Sequence, residues 1–179
     1  MTVIAYDGRV VAADTAMYDG QRRMVATSRK IIPLARGDDI AVFSAAGCAS
    51  GGMEALRWFV ERDLDRSSMP ACNGGVTMAI MRRGRPIEGY ELGPNVGSPE
   101  PYIEEAPFAY GSGGNHARGF LDASDNVIAA VRSACKWIGT CHEPIEAFDL
   151  SAGEWLTKID TSDLYLIERI VNPTSWRIL

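Results

Sequence analysis

A small hydroxyl residue directly follows the initiator methionine, because the chain begins Met1-Thr2. Once Met1 is removed, Thr2 carries a hydroxyl nucleophile and a free α-amine that can serve as its general base. Such an amine titrates near pH ~7.7–8, so a useful fraction is uncharged at neutral pH. Methionine aminopeptidases normally cleave before residues as small as threonine, so we expect Thr2 to become the first residue. The alternative interpretation is that Met-Thr simply begins a strand.

Three later residues are suited to assist such a nucleophile. Asp14 ends the second predicted strand, Lys30 opens the third and Gly47 closes the fourth. Adjacent strands can bring them to one edge of a sheet with Thr2. There a lysine ammonium lowers the pKa of the amine and steadies the developing alkoxide, while Asp14 keeps Lys30 charged and oriented. The Gly47 N–H can donate to the tetrahedral oxyanion. The plainer alternatives are a strand-end cap for Asp14 and a surface position for Lys30.

The strands predicted around these residues are almost wholly apolar, as is typical of a sheet covered on both faces. Asp7-Gly8 lies between two apolar runs and predicts a two-residue hairpin turn, because glycine accepts the positive φ that such turns require. The predicted strands are residues 2–6, 9–13, 30–34 and 39–46.

Apolar residues at helical spacing then predict a helix over residues 53–64, with Ser50 as its N-cap. Later elements are a hairpin of residues 76–82 and 86–92, short strands at 101–105 and 108–110, a helix at 115–121, a helix from Ser124 and a strand at 144–150. Residues 154–179 mix apolar and polar residues without a clear period, so their structure is left open.

This order of elements is not the strict β-α-β alternation of a doubly wound sheet, and no G-x-G-x-x-G follows a strand. It favours an α+β chain with sheets between pairs of helices. At 179 residues the chain fits one domain of ordinary size.

Composition excludes several classes of function. A net charge of −5 and a pI of about 5.1 argue against a nucleic-acid partner. No apolar run approaches the ~18–20 residues of a membrane span, and the first residues lack a basic n-region, so we expect a cytoplasmic protein. The four cysteines include no C-x-x-C pair. Zinc binding by Cys135, Cys141 and His142 is poorly spaced, so reduced thiols are the favoured interpretation and no metal or cofactor is predicted.

Four segments together resemble the landmarks of proteasome β subunits and bacterial HslV, which are N-terminal-nucleophile hydrolases of the threonine peptidase kind. The resemblance extends from Thr2 to about Leu150, and residues 151–179 form a C-terminal extension without a match. The segments are GRVVAAD (8–14), SRKIIPL (28–34), FSAAG (43–47) and YGSGG (110–114).

The resemblance implies a four-layer αββα sandwich with Thr2 as nucleophile. It implies that Lys30 and Asp14 support this residue electrostatically and that Gly47 is the oxyanion donor. It further implies that Ser112 forms a hydrogen bond near the amine of the nucleophile. The alternative for Ser112 is an ordinary tight turn before a helix.

Two departures from the family pattern stand out. Relatives carry an acid or a similar polar residue after the second late helix, whereas residues 134–141 here contain no acid, and Thr140 is the available hydroxyl. The opening hairpin is also short, so strand register decides whether Thr2 or Met1 occupies the place of the nucleophile.

The predicted function is therefore a threonine-type endopeptidase subunit that cleaves peptides or unfolded proteins inside a homo-oligomer, either a ring or an open helical stack. A separate ATP-dependent unfoldase is a possible partner, while nucleic acid and membrane are not expected. The alternatives are a catalytically lapsed assembly subunit and a small-molecule amidohydrolase on the same fold. The helix at residues 52–64 carries Trp58 beside its apolar stripe, more than internal packing of one face requires. This helix, together with the region at 155–167, is therefore expected to contribute to a large subunit interface.

Overall fold

The computed structural model describes residues 2–19, 21, 23–94, 100–161, 163–171 and 176–179. Its strands are β1 (Ile4–Tyr6), β2 (Val10–Asp14), β3 (Ala16–Tyr18), β4 (Met24–Thr27), β5 (Ile31–Arg36), β6 (Asp39–Gly47), β7 (Val76–Arg82), β8 (Ile87–Leu92), β9 (Tyr102–Glu104), β10 (Phe108–Tyr110), β11 (Ile145–Asp149), β12 (Glu154–Thr157) and β13 (Arg177–Ile178). Its α-helices are α1 (Ala49–Arg62), α2 (Gly114–Leu121), α3 (Val127–Trp137) and α4 (Leu164–Val171), and a 3-10 turn lies at Arg66–Ser68.

The strands form two main antiparallel sheets and one small hairpin. The first sheet has the order β10-β1-β2-β11-β12, and the second has the order β13-β5-β6-β7-β8-β9. The hairpin β3-β4 lies in a segment for which the sequence predicted no strand. The mixed content of strands and helices that the sequence predicted is confirmed.

The opening hairpin is confirmed, but its turn lies one residue later than predicted. The Asp7 N–H donates to the Val10 carbonyl, so Gly8 and Arg9 are the two central residues. The Asp7 carboxylate accepts the N–H groups of Arg9 and Val10, which fixes this turn. Gly8 has φ +103°, a conformation that side chains with a Cβ rarely adopt.

One core cluster lies between the two sheets. It joins Ile4 and Val11 of the first sheet to Val42 and Met81 of the second. Because successive side chains of a strand point to opposite faces, the remaining apolar residues of each sheet face away from this cluster. This explains why the strands read as continuous apolar runs in the sequence.

Two further core clusters join the sheets to helices. Ala5 and Ala12 of the first sheet belong to a cluster with Val131 of α3. Phe43 of the second sheet belongs to another cluster with Phe59 of α1 and with residues of α4. Each sheet therefore contributes residues both to the cluster shared with the other sheet and to a cluster shared with helices.

One expectation for the helix after β6 is wrong, and the reason given for a second does not hold. The N-cap of α1 is Cys48 rather than Ser50, and its side chain makes no capping hydrogen bond. Trp58 is buried at 2% exposure, where its indole N–H donates to the Asp65 carbonyl and its ring packs edge-on against Tyr90. Trp58 thus packs within its own chain, so it does not support an interface on this helix.

The C-terminal region, which the sequence left open, belongs to both sheets. β12 pairs with β11 at the edge of the first sheet, and β13 pairs with β5 at the edge of the second. Between them α4 packs on the core of the second sheet through Ile167 and Ile170. None of the helices in the described ranges is long and apolar enough to cross a membrane.

Candidate active site

Thr2 lies two residues before the start of β1 and is only 4% exposed. Its backbone nitrogen donates to the Ser112 hydroxyl at 2.9 Å, and this hydroxyl lies 3.2 Å from the Thr2 carbonyl oxygen. Thr140 also points its hydroxyl at Ser112, at 3.3 Å. Ser112, which the resemblance placed near the amine, is therefore in contact with the Thr2 nitrogen, and Thr140 contacts Ser112. Met1 lies outside the described residues.

The turn that carries Ser112 fits closely around the backbone of Thr2. The Gly113 N–H donates to the Thr2 carbonyl at 3.1 Å. Gly111 has φ +88°, and a Cβ on it would lie 2.4 Å from the same carbonyl oxygen. A glycine is therefore required at position 111 if this turn is to hold the Thr2 backbone.

A buried ion pair lies beside Thr2. Lys30 Nζ is 2.8 Å from Asp14 Oδ1, and the two side chains are 7% and 0% exposed. Asp14 Oδ1 also accepts the Val3 N–H at 2.8 Å, and its second oxygen accepts the His142 N–H at 3.4 Å. One carboxylate thus connects the residue after Thr2 to the lysine.

The environment of Lys30 changes its proton affinity. Burial lowers the pKa of Lys30 below that of a surface lysine, and the adjacent Asp14 carboxylate opposes this effect. The ion pair therefore keeps a cation in an environment that disfavours one. Such a fixed charge next to a reacting group acts more strongly than the same charge in water.

Gly47 ends β6 on the same side as Lys30. The Ala45 N–H donates to the Lys30 carbonyl at 3.2 Å. Because N–H groups alternate in direction along a strand, the Gly47 N–H two residues later faces the same side, beyond the start of β5. Gly47 has φ +121°, and a Cβ on it would lie 2.3 Å from the Gly75 carbonyl oxygen.

Gly47→Ala is expected to lower the free energy of unfolding by about 1–3 kcal/mol, because the new Cβ meets the Gly75 backbone in a conformation that already disfavours it. Gly37→Ala is the matched control, since Gly37 also has a positive φ but nothing lies within 4 Å of its Cβ position. Urea denaturation of both variants measures the difference. Equal losses for the two variants would contradict the predicted contact.

Thr2, Lys30 and Gly47 all line one pocket of about 750 Å³, with Asp14 beneath Lys30 and Ser112 at the Thr2 nitrogen. The structure therefore brings the five predicted site residues together. The other lining residues are Ala16, Met17, Tyr18, Asp19, Ser28, Arg29, Ile32, Phe43, Ala45, Ala46, Cys48, Ala49, Ser50, Gly52, Met53, Asp163 and Leu166.

The sequence analysis did not identify Asp163 or Cys48 as site residues, although both line the pocket. Asp163 comes from the C-terminal region, where no motif pointed to it, and only the fold brings it to the pocket. Cys48 is exposed at the start of α1, where the Ser50 hydroxyl and nearby backbone N–H groups lower the pKa of its thiol. Cys48 is therefore a second potential nucleophile in the same pocket, and experiments on Thr2 must be controlled for it.

The pKa values of Cys135 and Cys141 are shifted in the opposite direction from that of Cys48. Burial raises the pKa of Cys141, and it raises the pKa of Cys135 to about 12. Both thiols are therefore protonated at neutral pH, whereas a zinc ligand is a thiolate. Among the described residues, no group of three or more His, Cys, Asp or Glu side chains is arranged to hold a metal ion.

The fold has clear relatives among solved structures, although no protein-family model and no curated protein matches the sequence. BPH of Thiobacillus denitrificans, solved in complex with epoxomicin, matches with a TM-score of 0.57 at 20% identity over 84% of this chain and 99% of that chain. Anbu (ancestral beta-subunit) from Yersinia bercovieri matches with a TM-score of 0.55 at 14% identity over 96% of this chain and 91% of that chain.

The Anbu complex from Pseudomonas aeruginosa, which was solved as a helical assembly, gives a TM-score of 0.57 at 14% identity over 96% of this chain and 91% of that chain. These likenesses confirm the resemblance to proteasome β-subunit and HslV-like proteins at the level of the fold. The chain has the proteasome β-subunit-like fold. The Anbu matches also extend over more of the chain than the BPH match does, 96% against 84%.

Proposed function

We propose that this chain is a threonine-type peptidase subunit in which Thr2, after removal of Met1, is the nucleophile. One observation carries the proposal: the Thr2 nitrogen is held by the Ser112 hydroxyl in a pocket that is also lined by the Lys30 cation. An N-terminal nucleophile needs its amine oriented and a positive charge nearby, and both are supplied here.

The proposed reaction begins when the Thr2 α-amine takes the proton of its own hydroxyl, and the oxygen attacks the carbonyl carbon of a peptide bond. The Gly47 N–H and the Lys30 ammonium stabilise the resulting oxyanion and alkoxide. The amine then passes its proton to the leaving nitrogen, and the peptide bond breaks to leave an ester on Thr2. Water activated by the same amine hydrolyses the ester and restores the hydroxyl.

The Ser112 and Thr140 hydroxyls keep the amine in place through this cycle. Ser112 accepts from the Thr2 nitrogen at 2.9 Å, and Thr140 lies 3.3 Å from Ser112. Thr140 follows α3, the second of the late helices, where the resemblance implies an acid in relatives. We infer that two hydroxyls orient the amine here without that carboxylate.

The likeness to BPH supports a peptide-like substrate, because that protein was solved in complex with epoxomicin. The distribution of the three core clusters supports the finer architecture of a four-layer αββα sandwich. We also propose that residues 1–179 form one domain. A separate ATP-dependent unfoldase remains a candidate partner for the delivery of unfolded proteins.

Self-assembly is part of the proposal, since an exposed peptidase site would cleave cellular proteins indiscriminately. The helical assembly of the Anbu complex supports it, as do the exposed apolar side chains of Met24, Val25, Tyr165 and Leu166. Light scattering at micromolar concentration is expected to give a mass many times 19.4 kDa. A strictly monomeric protein would contradict this and favour the small-molecule amidohydrolase.

Intact-mass analysis of the natively expressed protein tests the proposed function at its first requirement. The expected mass is lower than that of the full chain by one methionine, because Thr2 is small enough to permit cleavage. Quantitative retention of Met1 would block the amine and would instead support the catalytically lapsed assembly subunit.

A further inference from the structure

The segment that delivers Lys30 to the pocket lies just outside the regular sheet. Residues 28–30 precede β5, which begins at Ile31. On the side that faces β6, the Lys30 carbonyl accepts the Ala45 N–H at 3.2 Å. On the opposite edge, β13 pairs with β5 at Leu34 and Ala35, which is the far end of the strand from Lys30.

Asp163 occupies this opposite edge at the Lys30 end. Its two carboxylate oxygens each lie 3.1 Å from the Arg29 nitrogen, and one of them accepts the Ser28 hydroxyl at 2.7 Å. N–H groups of consecutive residues point to opposite edges of a strand, so the Arg29 N–H must be satisfied from outside the β5–β6 pair. Asp163 thus takes the place of a neighbouring strand.

The side chain of Arg29 is fixed from the same direction. It donates to Glu146 of β11 at 3.0 and 3.1 Å and to the Ile159 carbonyl at 2.7 Å, and its ion pair with Glu146 is fully buried. Glu146 also accepts the Ile159 N–H at 3.2 Å. The C-terminal region therefore holds both the backbone and the side chain of the residue next to Lys30.

We propose that Asp163 is a positioning residue for Lys30, and that the C-terminal region is thereby a working part of the active site. The inference rests on the proposed function, in which Lys30 supports Thr2. Through Ser28 and the Arg29 backbone, Asp163 fixes the position from which the Lys30 side chain reaches Asp14. Asp163 also lines the pocket together with Leu166 of α4, so the same region forms one wall of the substrate site.

The test compares Asp163→Ala with Asp163→Asn, which keeps the shape and one acceptor oxygen, and with Asp160→Asn as a control at an exposed carboxylate in the same region. The probe is a peptide epoxyketone, and the readout is its second-order rate of attachment to Thr2 as a function of pH. Displacement of a catalytic group by about 1 Å costs on the order of 10²-fold in rate, so this is the expected loss for Asp163→Ala.

The pH profile separates positioning from a general structural role. A nearby ammonium lowers the pKa of the Thr2 amine, so a misplaced Lys30 should shift the profile of Asp163→Ala towards higher pH. Asp163→Asn should show a smaller loss of the attachment rate and a shift of its pH profile in the same direction. If the alanine variant does not fold, the pH profile of Asp163→Asn tests the positioning role alone. Asp160→Asn should match the wild type. An unshifted profile in both Asp163 variants would overturn the inference.

Amide hydrogen exchange distinguishes failure of this inference from failure of the proposed function. If the wild type takes up no probe, the peptidase proposal fails. The contacts of Asp163 with Ser28 and the Arg29 backbone can still be tested by hydrogen exchange. Residues 28–30 should then exchange faster in Asp163→Ala than in Asp160→Asn, because the Arg29 N–H has lost its acceptor. Equal exchange in the two variants would overturn the role of Asp163.

Discussion

Thr2→Ala is expected to abolish peptide hydrolysis and the covalent attachment of an epoxyketone or β-lactone, with a loss of about 10⁴-fold or more. Removing the nucleophile of a catalytic unit leaves only the contributions of binding and of the oxyanion site. The substitution removes only the hydroxyl and the methyl group of Thr2, so the fold should survive. Hydrolysis of a fluorogenic peptide and far-UV circular dichroism measure the two effects.

Two variants serve as controls for this result. Thr2→Ser keeps a hydroxyl on the first residue after processing and should retain measurable hydrolysis. Cys48→Ala removes the thiol that lines the same pocket and should leave hydrolysis close to the wild-type rate. An active Thr2→Ala protein would refute the assignment of Thr2 as the nucleophile. Loss of hydrolysis in Cys48→Ala to the extent predicted for Thr2→Ala would refute it as well.

The Asp14–Lys30 pair gives the second large effect. Lys30→Ala is expected to reduce hydrolysis by about 10²–10³-fold, since a fixed charge at the reacting oxygen is lost. Asp14→Ala should be equally inactive. Either single substitution should also lower the free energy of unfolding by about 3–5 kcal/mol, because it leaves the other charge buried without its ion-pair partner.

The double variant Asp14→Asn with Lys30→Met separates stability from catalysis. Replacing a buried ion pair as a unit is often close to neutral for stability, so unfolding should occur nearer the wild-type urea concentration than in Asp14→Ala. Hydrolysis should nevertheless remain lost, because no cation faces the nucleophile. Recovery of activity in the double variant would contradict the electrostatic role of Lys30.

The parts of the site that the sequence predicted are those carried by local signals. Asp14, Lys30 and Gly47 each lie at the end of an apolar run, and a strand end is a position that local hydrophobic patterning can locate. Antiparallel pairing of β5 with β6 brings Lys30 and Gly47 together, but Asp14 ends β2 of the other sheet. The expectation of a single sheet edge is therefore wrong, because the site joins residues of two sheets. Ser112 came from the motif resemblance, and the structure places it beside the Thr2 nitrogen.

What escaped prediction depends on long-range contacts. Asp163 reaches Arg29 across 134 positions of the chain, and Glu146 reaches it across 117, so no local pattern could reveal either contact. Trp58 was misjudged for the same reason, since its partner Tyr90 lies on a distant strand. The turn at Gly8-Arg9 differs from the prediction because the Asp7 carboxylate accepts two backbone N–H groups. Strand propensity takes no account of such a side-chain contact.

The most direct test of the central claim is to map the residue that carries a peptide epoxyketone after reaction with the natively processed protein. Tandem mass spectrometry of the N-terminal peptide should show that Met1 is absent and that Thr2 bears a single adduct, whereas peptides containing Cys48 remain unmodified. An adduct on Cys48 with Thr2 free, or an unmodified protein that begins with Met1, would contradict the assignment of Thr2 as the nucleophile.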